Sequence, residues 1–130
     1  AHISEGIKLP SGESISEIVT KIDHKKLLGL ILSCVSPENY EENLNEIKSL
    51  GIPFGFKLNG FVTTKPPSGY TNTFNKSKTG NPNEFLGHRE DLTPEKMALI
   101  AKKFKSAGAT ILGGCCETRP SHIREMAKLK

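Results

Sequence analysis

Leu27-Leu28-Gly29-Leu30-Ile31-Leu32-Ser33-Cys34-Val35-Ser36-Pro37, with the segment that runs on from it to Leu58, decides the fold class. Its first six residues are apolar or glycine with no polar alternation, which fits a strand buried on both faces, as in a parallel sheet. Ser36-Pro37 then supplies an N-cap and a proline at the first helical position, where a missing N–H leaves no bond unmade. Tyr40, Leu44, Ile47 and Leu50 fall on one face of the helix that follows, and Gly51 is a natural C-terminal stop. Ile52-Pro53-Phe54-Gly55-Phe56-Lys57-Leu58 reads as a second strand. Strand, helix, strand in that order predicts two parallel strands joined by a right-handed crossover.

The same grammar recurs on both sides. Thr93-Pro94 starts another helix, with Met97, Ile100, Ala101, Phe104 and Ala107 inward and Gly108 ending it. Ala109-Thr110-Ile111-Leu112 is the third expected strand, and Pro120 begins a last helix carrying Ile123, Met126 and Ala127. Upstream, Ser14-Ile15-Ser16-Glu17 has the form of a capping box, in which the Ser hydroxyl and the Glu carboxylate satisfy each other's free N–H groups. Ile15, Ile18, Val19 and Ile22 then repeat at helical spacing.

An α/β protein with a parallel sheet is therefore expected. A doubly wound domain of this length usually shows about five strands, and only three are legible. A barrel of eight strand–helix units needs ~250 residues, roughly 31 per unit, so the chain reads as about half of such a (β/α)8 barrel. Three parallel strands alone expose two edges. The remaining strands are accordingly expected from the same parent protein or from another chain. The opening Ala1-His2-Ile3-Ser4, without an initiator methionine, fits a processed or trimmed piece of something longer.

Composition narrows the function classes. The 130 residues fit one domain, with 35% hydrophobic and 25% charged residues and 12 glycines. Apolar stretches stay short of the ~18–20 residues a membrane span needs, and no secretory leader is apparent. Membrane insertion and secretion are thus disfavoured, and the cytoplasm is the default expectation. The net charge of +4 is spread along the chain, and aromatics are few (2 Tyr, 6 Phe, no Trp). Without basic and aromatic residues interleaved, no nucleic-acid partner is expected. Residues 61–92 break the rhythm with a segment rich in Thr, Asn, Ser, Pro, Gly and Lys. A connection this long is usually functional or mobile, so it is expected to be a lid over the active face or a tolerated surface insertion.

Three cysteines cannot all pair within one chain. In parallel barrels the chemistry sits where strands end and their following loops begin. Cys34 closes the first expected strand, and Cys115-Cys116 follows the third after Gly113-Gly114, so all three sulfurs are predicted at one rim. Zinc prefers four ligands in a tetrahedron, and three protein ligands with one open position is the catalytic arrangement. Buried inert thiols are the competing reading, followed by a disulfide or redox pair, although the adjacent cysteines lack the Cys-x-x-Cys form. Gly113-Gly114 also admits a phosphate-binding barrel.

These residues carry a family resemblance. Gly113-Gly114-Cys115-Cys116-Glu117-Thr118-Arg119-Pro120-Ser121-His122-Ile123 resembles the Gly-Gly-Cys-Cys signature near the end of the homocysteine S-methyltransferase family. Leu30-Ile31-Leu32-Ser33-Cys34 resembles that family's strand ending in its first zinc cysteine. Phe56-Lys57-Leu58-Asn59-Gly60-Phe61 is similar to its next strand, with Asn at the tip, and Leu9-Pro10-Ser11-Gly12-Glu13-Ser14 to the segment after its fifth. The family usually has Asn where this chain has Ser33, and often Gly where it has Glu117.

The resemblance implies that residues 1–130 are the C-terminal part, strands six to eight, of a single (β/α)8 barrel domain. It implies Zn2+ held by Cys34, Cys115 and Cys116, with no catalytic residue apart from that site, and methyl transfer to the thiol of homocysteine giving methionine. Ser33, Asn59 and Gly114 are the candidate substrate-binding residues. The implied partners are homocysteine, a small methyl donor left open between betaine, S-methylmethionine, another sulfonium and methyl-folate, the N-terminal half of the barrel, and a second copy in a homo-oligomer. The alternative is a non-catalytic half-barrel. His122 reads as structural, Glu117 as a solvated side chain in preference to one that orients the metal loop, and His88 and Arg89 as part of the lid or solvated.

Overall fold

The computed structural model describes residues 6–23, 26–64 and 84–130. In chain order it contains α1 (Ile15–Thr20), β1 (Leu30–Val35), α2 (Pro37–Ser49), β2 (Phe54–Leu58), a 3-10 turn (Glu84–Leu86), α3 (Pro94–Ser106), β3 (Ile111–Gly114) and α4 (Pro120–Ala127). The strands form one parallel sheet in the order β1-β2-β3. The expected α/β architecture is present. The bulk of the expected lid, residues 65–83, lies outside the described residues.

The helix starts behave as their residue types dictate. Ser14 accepts from the Glu17 N–H at 3.2 Å and Glu17 accepts from the Ser14 N–H at 2.7 Å, so the capping box of α1 is closed. Ser36 and Thr93 cap α2 and α3, each ahead of a proline at the first helical position. α1 is shorter than its periodicity suggests. It ends at Thr20, which leaves Ile22 outside the helix and 42% exposed.

Two strands are displaced along the chain from their expected positions. β1 runs from Leu30 to Val35 rather than from Leu27, and Leu28 is exposed. The reason is Pro53, which has no N–H to give the ladder. Pairing on β2 starts only at Phe54, opposite Leu30, while the Pro53 carbonyl accepts from the Leu30 N–H at 2.8 Å. β3 begins at Ile111 rather than Ala109 and takes in Gly113 and Gly114, whose partners are Lys57 and Leu58.

One face of the sheet carries the helices. Phe56 of β2 meets Tyr40 of α2 and Phe104 of α3, with ring centroids 4.6 to 5.4 Å apart and edge-on or tilted. Each such pair stabilises by about 0.5–1.5 kcal/mol beyond area burial. Leu32, Leu58, Met97 and Ala101 belong to the same core. The opposite face carries Gly55 and Lys57 of β2, and Lys57 is exposed. His122 ties α4 to this body. The Arg119 N–H donates to Nδ1 at 3.0 Å, which leaves the ring proton on Nε2, 2.9 Å from the Leu92 carbonyl that accepts it. The expected structural role of His122 is met.

Candidate metal centre

The three sulfurs sit where strands give way to loops. Cys34 lies one residue before the end of β1, at a bulge where the register slips between Ser33 and Val35. Its φ is +58°, in the left-handed region, which costs a residue with a Cβ roughly 1–2 kcal/mol. Such strain persists only where the surroundings over-determine it. Cys115 and Cys116 follow directly on the last residue of β3. All three side chains are half-buried thiols with no disulfide between them.

The bulge brings together residues 82 apart in the chain. Cys34 Sγ lies 3.7 Å from Cys116 Sγ, Cys116 Sγ lies 3.9 Å from Cys115 Sγ, and the three sulfurs lie within 4.8 Å of one another. Two thiolates bound at ~2.3 Å to one tetrahedral ion stand about 3.8 Å apart. The donor set fits a zinc-like cation in number, element and spacing. Burial, reinforced by the neighbouring thiols, pushes Cys34 up to about 12, and burial raises Cys116 as well. Without a cation these two hold their protons at neutral pH, so loading the site must release protons.

The tip of β2 reaches both cysteine-bearing ends. The Cys115 N–H donates to the Leu58 carbonyl at 2.7 Å, and the Gly60 N–H donates to the Cys116 carbonyl at 2.9 Å. On the other side, the Asn59 N–H donates to the Val35 carbonyl at 2.9 Å, and Asn59 Nδ2 donates to the Cys34 carbonyl at 2.8 Å. Asn59 is fully buried.

The family model described as homocysteine S-methyltransferase matches residues 2–129. The chain belongs to the homocysteine S-methyltransferase family. It is 27% identical over 126 residues to homocysteine S-methyltransferase 1 of Zea mays, covering 96% of this chain and 35% of that protein. It is 27% identical over 125 residues to homocysteine S-methyltransferase 2 of Arabidopsis thaliana, covering 95% of this chain and 33% of that one. Homocysteine S-methyltransferase 3 of Arabidopsis thaliana is 25% identical over 126 residues. The chain thus spans about a third of the length of the curated homocysteine S-methyltransferases it matches.

Other residues singled out in the sequence fall around the centre. Ser33 precedes Cys34 in β1 opposite Lys57, and Gly114 ends β3 opposite Leu58. A Cβ on Gly114 would come within 2.8 Å of Thr118 Cβ, so the loop after β3 folds tightly back over this glycine. Glu117 is not the solvated side chain expected. Its carboxylate lies 3.2 Å from His88 Nδ1, and it holds a left-handed φ of +61°. Arg89, expected in the lid or solvated, forks between Glu38 and Asp91 at 2.7–2.8 Å. Residues 84–92 therefore fold back against the sheet rim, where Phe61 also bridges to His88. Sequence spacing gave no sign of the Glu117–His88 and Arg89–Glu38 contacts, because those partners lie far apart along the chain.

Proposed function

We propose that Cys34, Cys115 and Cys116 hold one zinc ion in a (β/α)8 barrel, and that the protein transfers a methyl group to the thiol of homocysteine to give methionine. In this reading residues 1–130 form strands six to eight of a single barrel domain in the cytoplasm. The N-terminal half comes from the same parent or another chain, and the assembly can extend to a homo-oligomer. One observation carries the proposal: the three sulfurs meet within 4.8 Å with spacings that suit tetrahedral thiolate ligation. Family membership supports the reaction class.

Bound zinc would keep a fourth thiol deprotonated at neutral pH, where a free thiol with pKa ~8.5 is mostly protonated. The chain's own part is to supply three thiolates, which leave a divalent site with net charge −1 and keep an incoming sulfur electron-rich. With its left-handed backbone Cys34 sets its sulfur 3.7 Å from that of Cys116, and three protein ligands would leave one position of a tetrahedral ion for the incoming thiol. Ser33 and Gly114, next in sequence to the ligands, border the space where homocysteine would lie. There its sulfur would bond to the donor's methyl carbon as the bond from that carbon to the donor's onium nitrogen or sulfur breaks. Holding both reactants in line supplies much of the acceleration.

Methyl transfer from S-methylmethionine or betaine to homocysteine, followed as methionine formed, tests the proposal. The full-length parent is expected to turn over and to lose activity on chelation, with zinc restoring it. A full-length parent that forms methionine equally well after complete zinc removal contradicts it. Activity of the parent with none in residues 1–130 alone places the fragment as a non-catalytic part of a working barrel.

A further inference from the structure

The grip on the three cysteines is concentrated in three consecutive residues. Leu58-Asn59-Gly60 bonds to Val35 and to Cys34 on one side and to Cys115 and Cys116 on the other. Three of these bonds use only backbone groups that any residue at the strand's tip would offer. The fourth needs a particular side chain. Asn59 has no exposure to solvent, its Oδ1 accepts from the Phe61 N–H at 3.3 Å, and its Nδ2 donates to the Cys34 carbonyl at 2.8 Å. The same Nδ2 stands 4.0 Å from Cys34 Sγ. An amide nitrogen carries two hydrogens, so one can serve the carbonyl while the other faces the sulfur.

We infer that Asn59 is a positioning residue for the metal centre, clamping Cys34 in its left-handed turn so that its sulfur meets Cys115 and Cys116. The inference rests on the proposed three-cysteine site. Cys34 is held where a side chain is strained, at a bulge in an edge strand of this sheet, and a bond to its own carbonyl fixes the peptide that defines the turn. Partners that orient a metal's ligands typically account for 10–100-fold in metal affinity. Both ends of the Asn59 amide are engaged by the protein itself.

Zinc affinity and cobalt spectra of the full chain test this. Asn59→Asp is nearly isosteric and keeps an acceptor for Phe61, but it turns a carboxylate oxygen toward the Cys34 carbonyl and sulfur. It is expected to weaken zinc binding by about 10–100-fold. With Co2+ in place of zinc, the thiolate-to-metal charge-transfer band should lose one thiolate's share of its intensity. Asn59→Ala removes the donor without adding charge and is expected to act in the same direction. A merely structural role would lower the unfolding midpoint of the metal-free chain while zinc affinity and the charge-transfer intensity per bound ion stay at wild-type values; that result overturns the inference. The wild-type chain gives a reading independent of any variant. On metal binding, the side-chain NH2 resonances of Asn59 should shift as the sulfur they face becomes a thiolate, and resonances that do not move contradict the clamp. If the wild-type chain itself shows no thiolate band with Co2+, the three-cysteine site fails, which is a different result from loss of the clamp alone.

Discussion

Cys34→Ser is expected to lower the zinc affinity of the full chain by more than about 100-fold, beyond what an outer partner of a ligand is worth. A serine hydroxyl stays protonated at neutral pH and its oxygen sits closer to Cβ than sulfur does, so it neither supplies the charge nor reaches the ion. The metal-free stability should change little, because the side chain is only half-buried and the left-handed backbone is held by Asn59 and the β2 ladder. Competition against a chromophoric chelator measures the affinity, and urea unfolding without metal measures the stability. An affinity within about tenfold of wild type, the range of an outer partner, removes Cys34 from the ligand set.

Gly55→Ala should have the largest effect on folding. Gly55 lies opposite Ile111 in the β2–β3 ladder, and a Cβ there would overlap the Ile111 carbonyl oxygen and come within 2.7 Å of its carbonyl carbon. Backbone cannot step aside without opening the ladder, and β3 carries the vicinal cysteines at its end. The expected loss is about 3 kcal/mol or more, at the upper end of what overpacking costs, together with loss of metal binding. Gly113→Ala is the control. Its Cβ would meet Phe56 O at 3.4 Å and Lys57 Cγ at 3.5 Å, which is ordinary contact. Urea midpoints for the two variants should differ widely, and equal midpoints would contradict the close approach at Gly55.

The elements whose signals are local were legible in the residues. Ser36-Pro37 and Thr93-Pro94 mark helix starts because capping is a matter of neighbours in sequence, and both helices begin there. The cysteine rim was legible because each cysteine lies at the end of an apolar strand, and parallel strands deliver their ends to one side. Strand limits were less so. Leu27 and Leu28 are as apolar as Leu30, and only the missing N–H of Pro53 on a different strand decides which of them pair. The left-handed turn at Cys34 leaves no mark in composition, since the residue that adopts it is neither Gly nor Asn. Asn59 and Glu117 were singled out for their type and place, yet their partners, Cys34 and His88, lie 25 and 29 residues away. A single sequence does not encode such pairings in any local pattern.

The helices and strands have one consequence for chemistry, namely where they put sulfur. X-ray absorption at the zinc edge, on the zinc-loaded protein, measures this directly. Three sulfur neighbours at ~2.3 Å are expected before homocysteine is added and four afterwards, at the same distance. Fewer than three sulfurs in the first spectrum, or no gain of a fourth in the second, would contradict a three-cysteine centre that receives the substrate thiol.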